Sequence, residues 1–145
     1  MFMVRVEVEV RPTEDVEKVK KAVLNIIDVD SVQYVSSSEG YSFIVCESRS
    51  IAALFKLHEL LRQQRILDTA RKILLAQRQG DMVTIKLHKQ SAYARHVSFV
   101  TYDDESPLGP ITITIVSDKI NEVIDWLAPK TSKGRPIWER EVPKV

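Results

Sequence analysis

Phe2-Met3-Val4-Arg5-Val6-Glu7-Val8-Glu9-Val10 decides the fold. Phe2, Val4, Val6, Val8 and Val10 alternate with Met3, Arg5, Glu7 and Glu9, a period of two that puts every aliphatic and aromatic side chain on one face of a strand. The opposite face carries charges of both signs. A strand of this kind belongs to a sheet packed on one side and wet on the other, which favours antiparallel or mixed pairing.

Working outward, Pro12 ends the strand, and Thr13 as N-cap with Glu14 and Asp15 opens a helix over 14–27. Its apolar stripe is Val16, Val19, Val23, Ile26 and Ile27. Two short strands follow, Ser31–Ser36 and Tyr41–Glu47, joined by Ser37-Ser38-Glu39-Gly40, in which the glycine suits a positive φ. Residues 50–78 hold no Gly or Pro and read as helix. The stripe Ile51, Leu54, Leu57, His58, Leu61 lapses at Gln64 and Arg65 and restarts at Ile66, Leu67, Ala70, Ile73, Leu74. This predicts two helices or one bent helix, with the change of face near Arg62–Gln64 and Gly80 as the C-terminal stop.

Met82–Leu87 alternates again, His96–Tyr102 reads as a weaker strand, and Ile111, Ile113 and Ile115 mark a third. Between the last two lie an acidic loop, Asp103-Asp104-Glu105-Ser106, and a rigid turn, Pro107-Leu108-Gly109-Pro110. Ser117 or Asp118 caps a final helix bearing Ile120, Val123, Ile124 and Leu127. The resulting order, β-α-β-β-α-(α)-β-β-β-α, implies an α+β protein with a mostly antiparallel sheet and helices on one face. Its opening elements match a split β-α-β, ferredoxin-like order. No internal repeat or linker interrupts the chain, so residues 1–129 are expected to form a single domain and 130–145 its polar, basic tail, anchored by Trp138.

Composition narrows the function by exclusion. The 145 residues carry a net charge of +1, so no global field calls for nucleic acid or an anionic membrane. No apolar run approaches the ~20 residues of a membrane span, and the first residues lack the pattern of a secretory signal. The single cysteine, Cys46, forms no internal disulfide and fits a cytoplasmic protein. His58, His88 and His96 lack partners at ligand spacing, so no metal is expected. No phosphate-cradling glycine loop and no nucleophile motif occurs, and neither a cofactor nor a catalytic residue is assigned.

Charge distribution says more than its sum. Residues 62–95 hold 8 basic and 2 acidic side chains, a balance of +6, between flanks of −3 and −5; residues 129–145 return to +3. The candidates for RNA contact are Arg62, Arg65, Arg71, Lys72, Lys86, Lys89, Gln90 and Arg95. Each has an ordinary alternative: Arg65, Asp68 and Lys72, for example, have the spacing of ion pairs on a helix surface.

Four motifs occur in order: Arg62-x-Gln64-x-Ile66-Leu67-Asp68-Thr69-Ala70-Arg71, Lys89-Gln90-Ser91-Ala92, Ser106-Pro107-Leu108-Gly109-Pro110-Ile111, and Trp126-Leu127-Ala128-Pro129-x-Thr131-x-x-Gly134-x-Pro136. Together they resemble uncharacterised protein family 0201, an archaeal family filed as RNA-binding, and the resemblance spans nearly the whole chain. It implies an α+β fold similar to a ribosomal protein that binds 5S RNA, a homodimer, and no established activity. Ser91, His88 and Ala94-Arg95-His96 depart from the family's usual residues. Three functions stay open: an RNA-binding module using the 62–95 surface; a structural or regulatory homodimer in which Arg62, Gln64 and Asp68 serve hydrogen-bond networks; and an enzyme with a pocket lined by Lys89, Gln90 and Asp68.

Overall fold

A computed structural model describes residues 1–29, 31–37, 39–101 and 108–145. The expected acidic loop and the first residue of the turn after it, Pro107, together with Tyr102, Ser38 and Asp30, lie outside the described residues.

Strand β1 (Phe2–Val10) runs through the middle of a six-stranded antiparallel sheet. Phe2, Val4, Val6, Val8 and Val10 are all buried, as the alternation requires, while Arg5 on the other face bonds Glu7 and Glu47 at 2.6 Å each. Helix α1 (Val16–Ile26) begins at Asp15 rather than Thr13, because the Asp15 carboxylate accepts from the Glu17 amide at 2.9 Å. It buries Val19, Ala22, Val23 and Ile26. Strands β2 (Gln33–Ser36) and β3 (Ser42–Ser48) follow, and Gly40 between them has φ +80°. β3 lies between β1 and β2, antiparallel to both, which makes β1-α1-β2 a split β-α-β unit.

A 3₁₀ turn (Ile51–Leu54) leads into α2 (Phe55–Gln63), and α3 (Leu67–Ala76) follows a break at 64–66, where the stripe lapsed in the sequence. The chain then departs from expectation. Helix α3 stops at Ala76, and β4 (Arg78–Gln79) pairs with β5 (Met82–Leu87) through a two-residue turn. Gly80 supplies that turn's positive φ of 62° instead of capping a helix. Lys89–Tyr93 forms a short helix, α4, held at its C-terminal end by Asn25, whose amide donates to Ala92 O and Tyr93 O at 3.1 Å. Of the strand expected over His96–Tyr102, the described residues form one bridge, Leu87 to Phe99.

β6 (Ile111–Ser117) pairs with β1 on one side and β5 on the other, giving the sheet order β2-β3-β1-β6-β5-β4. α5 (Ile120–Leu127) then packs back on the core, and the Ser117 hydroxyl accepts from the Lys119 amide at 3.0 Å ahead of it. Beyond it, β7 (Thr131–Ser132) and β8 (Arg135–Pro136) form a small hairpin. The core lies between the helices and one face of the sheet, built from Val6, Ile44, Ile113, Leu57 and Leu74 among others. No helix of the described residues is long and apolar enough to cross a membrane.

Candidate nucleic-acid interface

The eight sequence candidates do not share one surface. Lys86 follows the alternation of β5, so Val83, Ile85 and Leu87 face the core and Lys86 lies on the open sheet face opposite Thr112. Lys72 is exposed on α3, and Gln90 is exposed on α4.

Lys89 turns inward. It is 4% exposed, and its ammonium donates to Glu9 O and Leu108 O at 2.7 Å and to the Glu14 carboxylate at 3.0 Å. Burial lowers its pKa. A depression of about 420 Å³ does include Lys89 and Gln90, with Glu14, Lys18 and Tyr93, but Asp68 stands elsewhere in the fold. With its protons directed at protein oxygens, the Lys89 ammonium ties α4 to β1, to the segment ahead of α1 and to Leu108.

Arg62 and Arg71 also work inside the protein. The five N–H groups of Arg62 all meet acceptors: His58 O at 2.9 Å, Leu127 O and Trp126 O at 3.1 Å, and the two Glu139 oxygens at 2.9 and 2.6 Å. Arg71 donates to Ala128 O and to Asp125, each at 3.0 Å. Helix α5 ends with carbonyls that have no partner within the helix, and these two guanidinium groups satisfy three of them. Arg62 in turn holds the Glu139 carboxyl below its usual range. Gln64 pins the next turn: its amide donates to Val97 O at 2.9 Å and accepts from Val97 N at 2.7 Å.

The remaining two candidates share a feature that the sequence does not reveal. Arg65 has φ +57° and Arg95 φ +60°. Each is the left-handed residue that ends a helix. After α2, Ile66 N bonds Leu61 O and Arg65 N bonds Arg62 O; after α4, His96 N bonds Ser91 O and Arg95 N bonds Ala92 O. That is the Schellman pattern, in which glycine is the usual left-handed residue because Cβ opposes this conformation. The third non-glycine residue of positive φ among those described is Lys133, at 53° in the β7–β8 turn, followed by Gly134 at 79°. Positive φ at both central residues is the hairpin arrangement that favours Asn-Gly. All three strained positions among the described residues therefore carry cations, and none of the three side chains is bonded to another described residue.

Thr131 Oγ1 donates to Asp68 in the first turn of α3, which seats the hairpin beside the α2–α3 turn. Arg65, Lys133 and Arg135 then line one groove of about 410 Å³, with Leu67, Pro136 and the saturated Arg62. Lys133 and Arg135 were absent from the sequence candidates; the signal for them was Lys133-Gly134, a turn dipeptide inside a stretch read as tail. Among the described residues, no three His, Cys, Asp or Glu side chains converge to hold a metal ion.

A family model described as RNA binding matches residues 3–117. A UPF0201 protein of Aeropyrum pernix is 51% identical over 144 residues, covering 97% of this chain and 94% of its own. One from Metallosphaera sedula is 45% identical over 99% of both chains. The crystal structure of a UPF0201 protein from Methanococcus jannaschii superposes with a TM-score of 0.84 at 33% identity, over 93% of this chain and 98% of that one. By sequence along nearly its whole length and by fold, the chain belongs to the UPF0201 family.

Proposed function

We propose that the protein is an RNA-binding module, and that its contacts are phosphate contacts made by Arg65, Lys133, Arg135 and Arg95. The observation that carries this reading is the coincidence of strain and charge. Left-handed backbone costs about 1–2 kcal/mol at a residue with a Cβ, and such strain collects where function needs a side chain in a fixed place. Among the described residues, three of three such positions hold cations with no described partner, which favours an anionic ligand, and the match to a model described as RNA binding makes RNA the fitting one. The likeness to a 5S-RNA-binding ribosomal protein implied by the four motifs belongs to the same reading. A buried, free Cys46, its thiol pushed up to about 11 by burial, suits a reducing cytoplasm.

Fluorescence anisotropy of the purified chain with single-stranded and structured RNA, titrated in salt, tests it. Affinity should fall linearly with log salt, with a slope of roughly 0.7–0.9 per phosphate neutralised. No binding even at low salt, where screening is weakest, would remove the proposal.

A second reading concerns assembly and rests on β2. This edge strand is exposed along its length, Tyr34 by 46% and Val35 by 50%, and carries no charge or proline to blunt it. The homodimer implied by the family resemblance would form here, by antiparallel β2–β2 pairing across a two-fold axis. Light scattering should then give twice the chain mass for the native protein and the chain mass for Val35→Lys. A monomer at every concentration would dispose of this reading.

A further inference from the structure

The groove at Arg65 differs from a track for a continuous nucleic-acid backbone. A track needs cations strung along a path, whereas here Arg62, Arg65, Lys133 and Arg135 surround one small concavity with no carboxylate in its lining. Its volume of about 410 Å³ falls in the ~300–1,000 Å³ range of sites that enclose a small ligand. The N-terminal turn of the ten-residue helix α3 opens at Leu67 in the same lining and has no side-chain cap, so its amides add to the positive potential.

The surroundings are acidic. Asp68, exposed, stands next to Leu67 on one side, and Glu139, about half exposed, stands on Arg62. A chain running past the groove would bring its flanking phosphates against these carboxylates. A chain end would not. An end also carries more charge, because a terminal phosphomonoester holds about −1.5 to −2 at neutral pH while a backbone diester holds −1.

Resting on the RNA-contact reading above, we infer that this groove takes the terminal phosphomonoester of an RNA strand, with Arg65, Lys133 and Arg135 as its donors. Glu139 stands on Arg62, outside the lining. It occupies the outer edge of the Arg62 guanidinium as a phosphate would, so Arg62 contributes field but no free N–H.

The test compares one short single-stranded RNA in three forms: 5′-phosphorylated, 3′-phosphorylated, and with hydroxyls at both ends. Anisotropy with the full chain at fixed moderate salt reads the affinity of each. At least one phosphorylated form should bind about tenfold tighter than the hydroxyl form, equivalent to ~1.4 kcal/mol. Arg135→Gln, at an exposed hairpin position, should abolish that advantage, whereas Lys72→Gln on α3 should leave it intact. Which end is preferred identifies the source of the phosphomonoester. Equal affinity for all three forms, weakened equally by Arg65→Gly, would overturn end recognition while the backbone-contact reading stands. An end preference that survives Arg135→Gln would overturn the assignment to this groove. Failure of every form to bind at low salt would overturn both readings.

Discussion

Arg62 Nη1 donates to the carbonyl of Leu127 at 3.1 Å, and this one bond explains why the first and last sequence motifs occur together. Arg62 and Arg71, from the first motif, satisfy the carbonyls of Trp126, Leu127 and Ala128, from the last; Asp68 of the first accepts from Thr131 of the last. The two middle motifs meet in the same way, through Lys89 Nζ and Leu108 O at 2.7 Å. Much of the recognisable pattern is thus a set of interlocks that close helix ends and buttress α1 against α4. The cations free to act on a ligand fill unspecified positions within the motifs, as Arg65, Lys133 and Arg135 do, or lie outside them, as Arg95 does.

Arg62→Lys separates charge from geometry. The ammonium keeps the positive charge but cannot present the forked donors that reach three carbonyls and Glu139. Leaving part of this half-buried set unsatisfied should cost about 2–3 kcal/mol, read as a drop of several degrees in Tm. RNA affinity and its salt slope should hold. An unchanged Tm with weakened binding would instead make Arg62 a direct contact.

Lys89→Met should be the most damaging single change of those considered. It takes the cation from the Glu14 carboxylate, which is nearly as buried as Lys89 itself and keeps the bond from the Arg11 amide, and it removes the donor to the carbonyls of Glu9 and Leu108. Breaking a buried pair from one side costs ~3–5 kcal/mol, whereas replacing both partners by apolar groups is far milder. Urea unfolding should show Lys89→Met with Glu14→Leu recovering part of the loss. A double variant no better than the single one would mean that the two carbonyls, and not the ion pair, need the lysine.

His58 gives stability a pH dependence. It stacks on Trp126 at 4.5 Å, and burial, with the neighbouring Arg62 guanidinium, lowers its pKa below the ordinary value. The unfolded chain therefore binds the proton more readily than the folded one. Its contribution is complete above the unfolded pKa of about 6.5 and is lost as pH falls through that value toward the folded pKa. Stability should decline from pH 7 to pH 5, and His58→Phe, which keeps an aromatic ring against Trp126, should flatten that part of the profile. An identical slope in the variant would assign the decline to other groups.

The sheet was legible because alternation is a local signal: β1, β3, β5 and β6 follow from period-two runs, and the break at Gln64–Ile66 from a stripe that changes face. Helix α4 was not, because five residues hold too little of a stripe to declare one, and its stability comes from Asn25 on α1. The site was legible only as charge. Nothing in the spelling of Arg62, Arg71 and Lys89 says that their protons go to carbonyls distant in sequence, and arginine at a helix end does not announce a left-handed backbone as Gly40 or Gly134 does.

That last point yields the sharpest prediction. Arg65→Gly and Lys133→Asn each install the residue type that the local backbone prefers, glycine after a Schellman helix end and asparagine ahead of glycine in a hairpin turn. If strain is carried for the sake of a contact, each variant should gain up to about 1 kcal/mol of stability while losing affinity for RNA. The salt slope should shrink by about 0.7 for each single-strand phosphate contact removed. Urea unfolding and anisotropy on the same preparations read both effects. Opposite signs for stability and binding cannot arise from misfolding, which would depress both. A gain in stability with no loss of affinity would show that these cations serve something other than RNA.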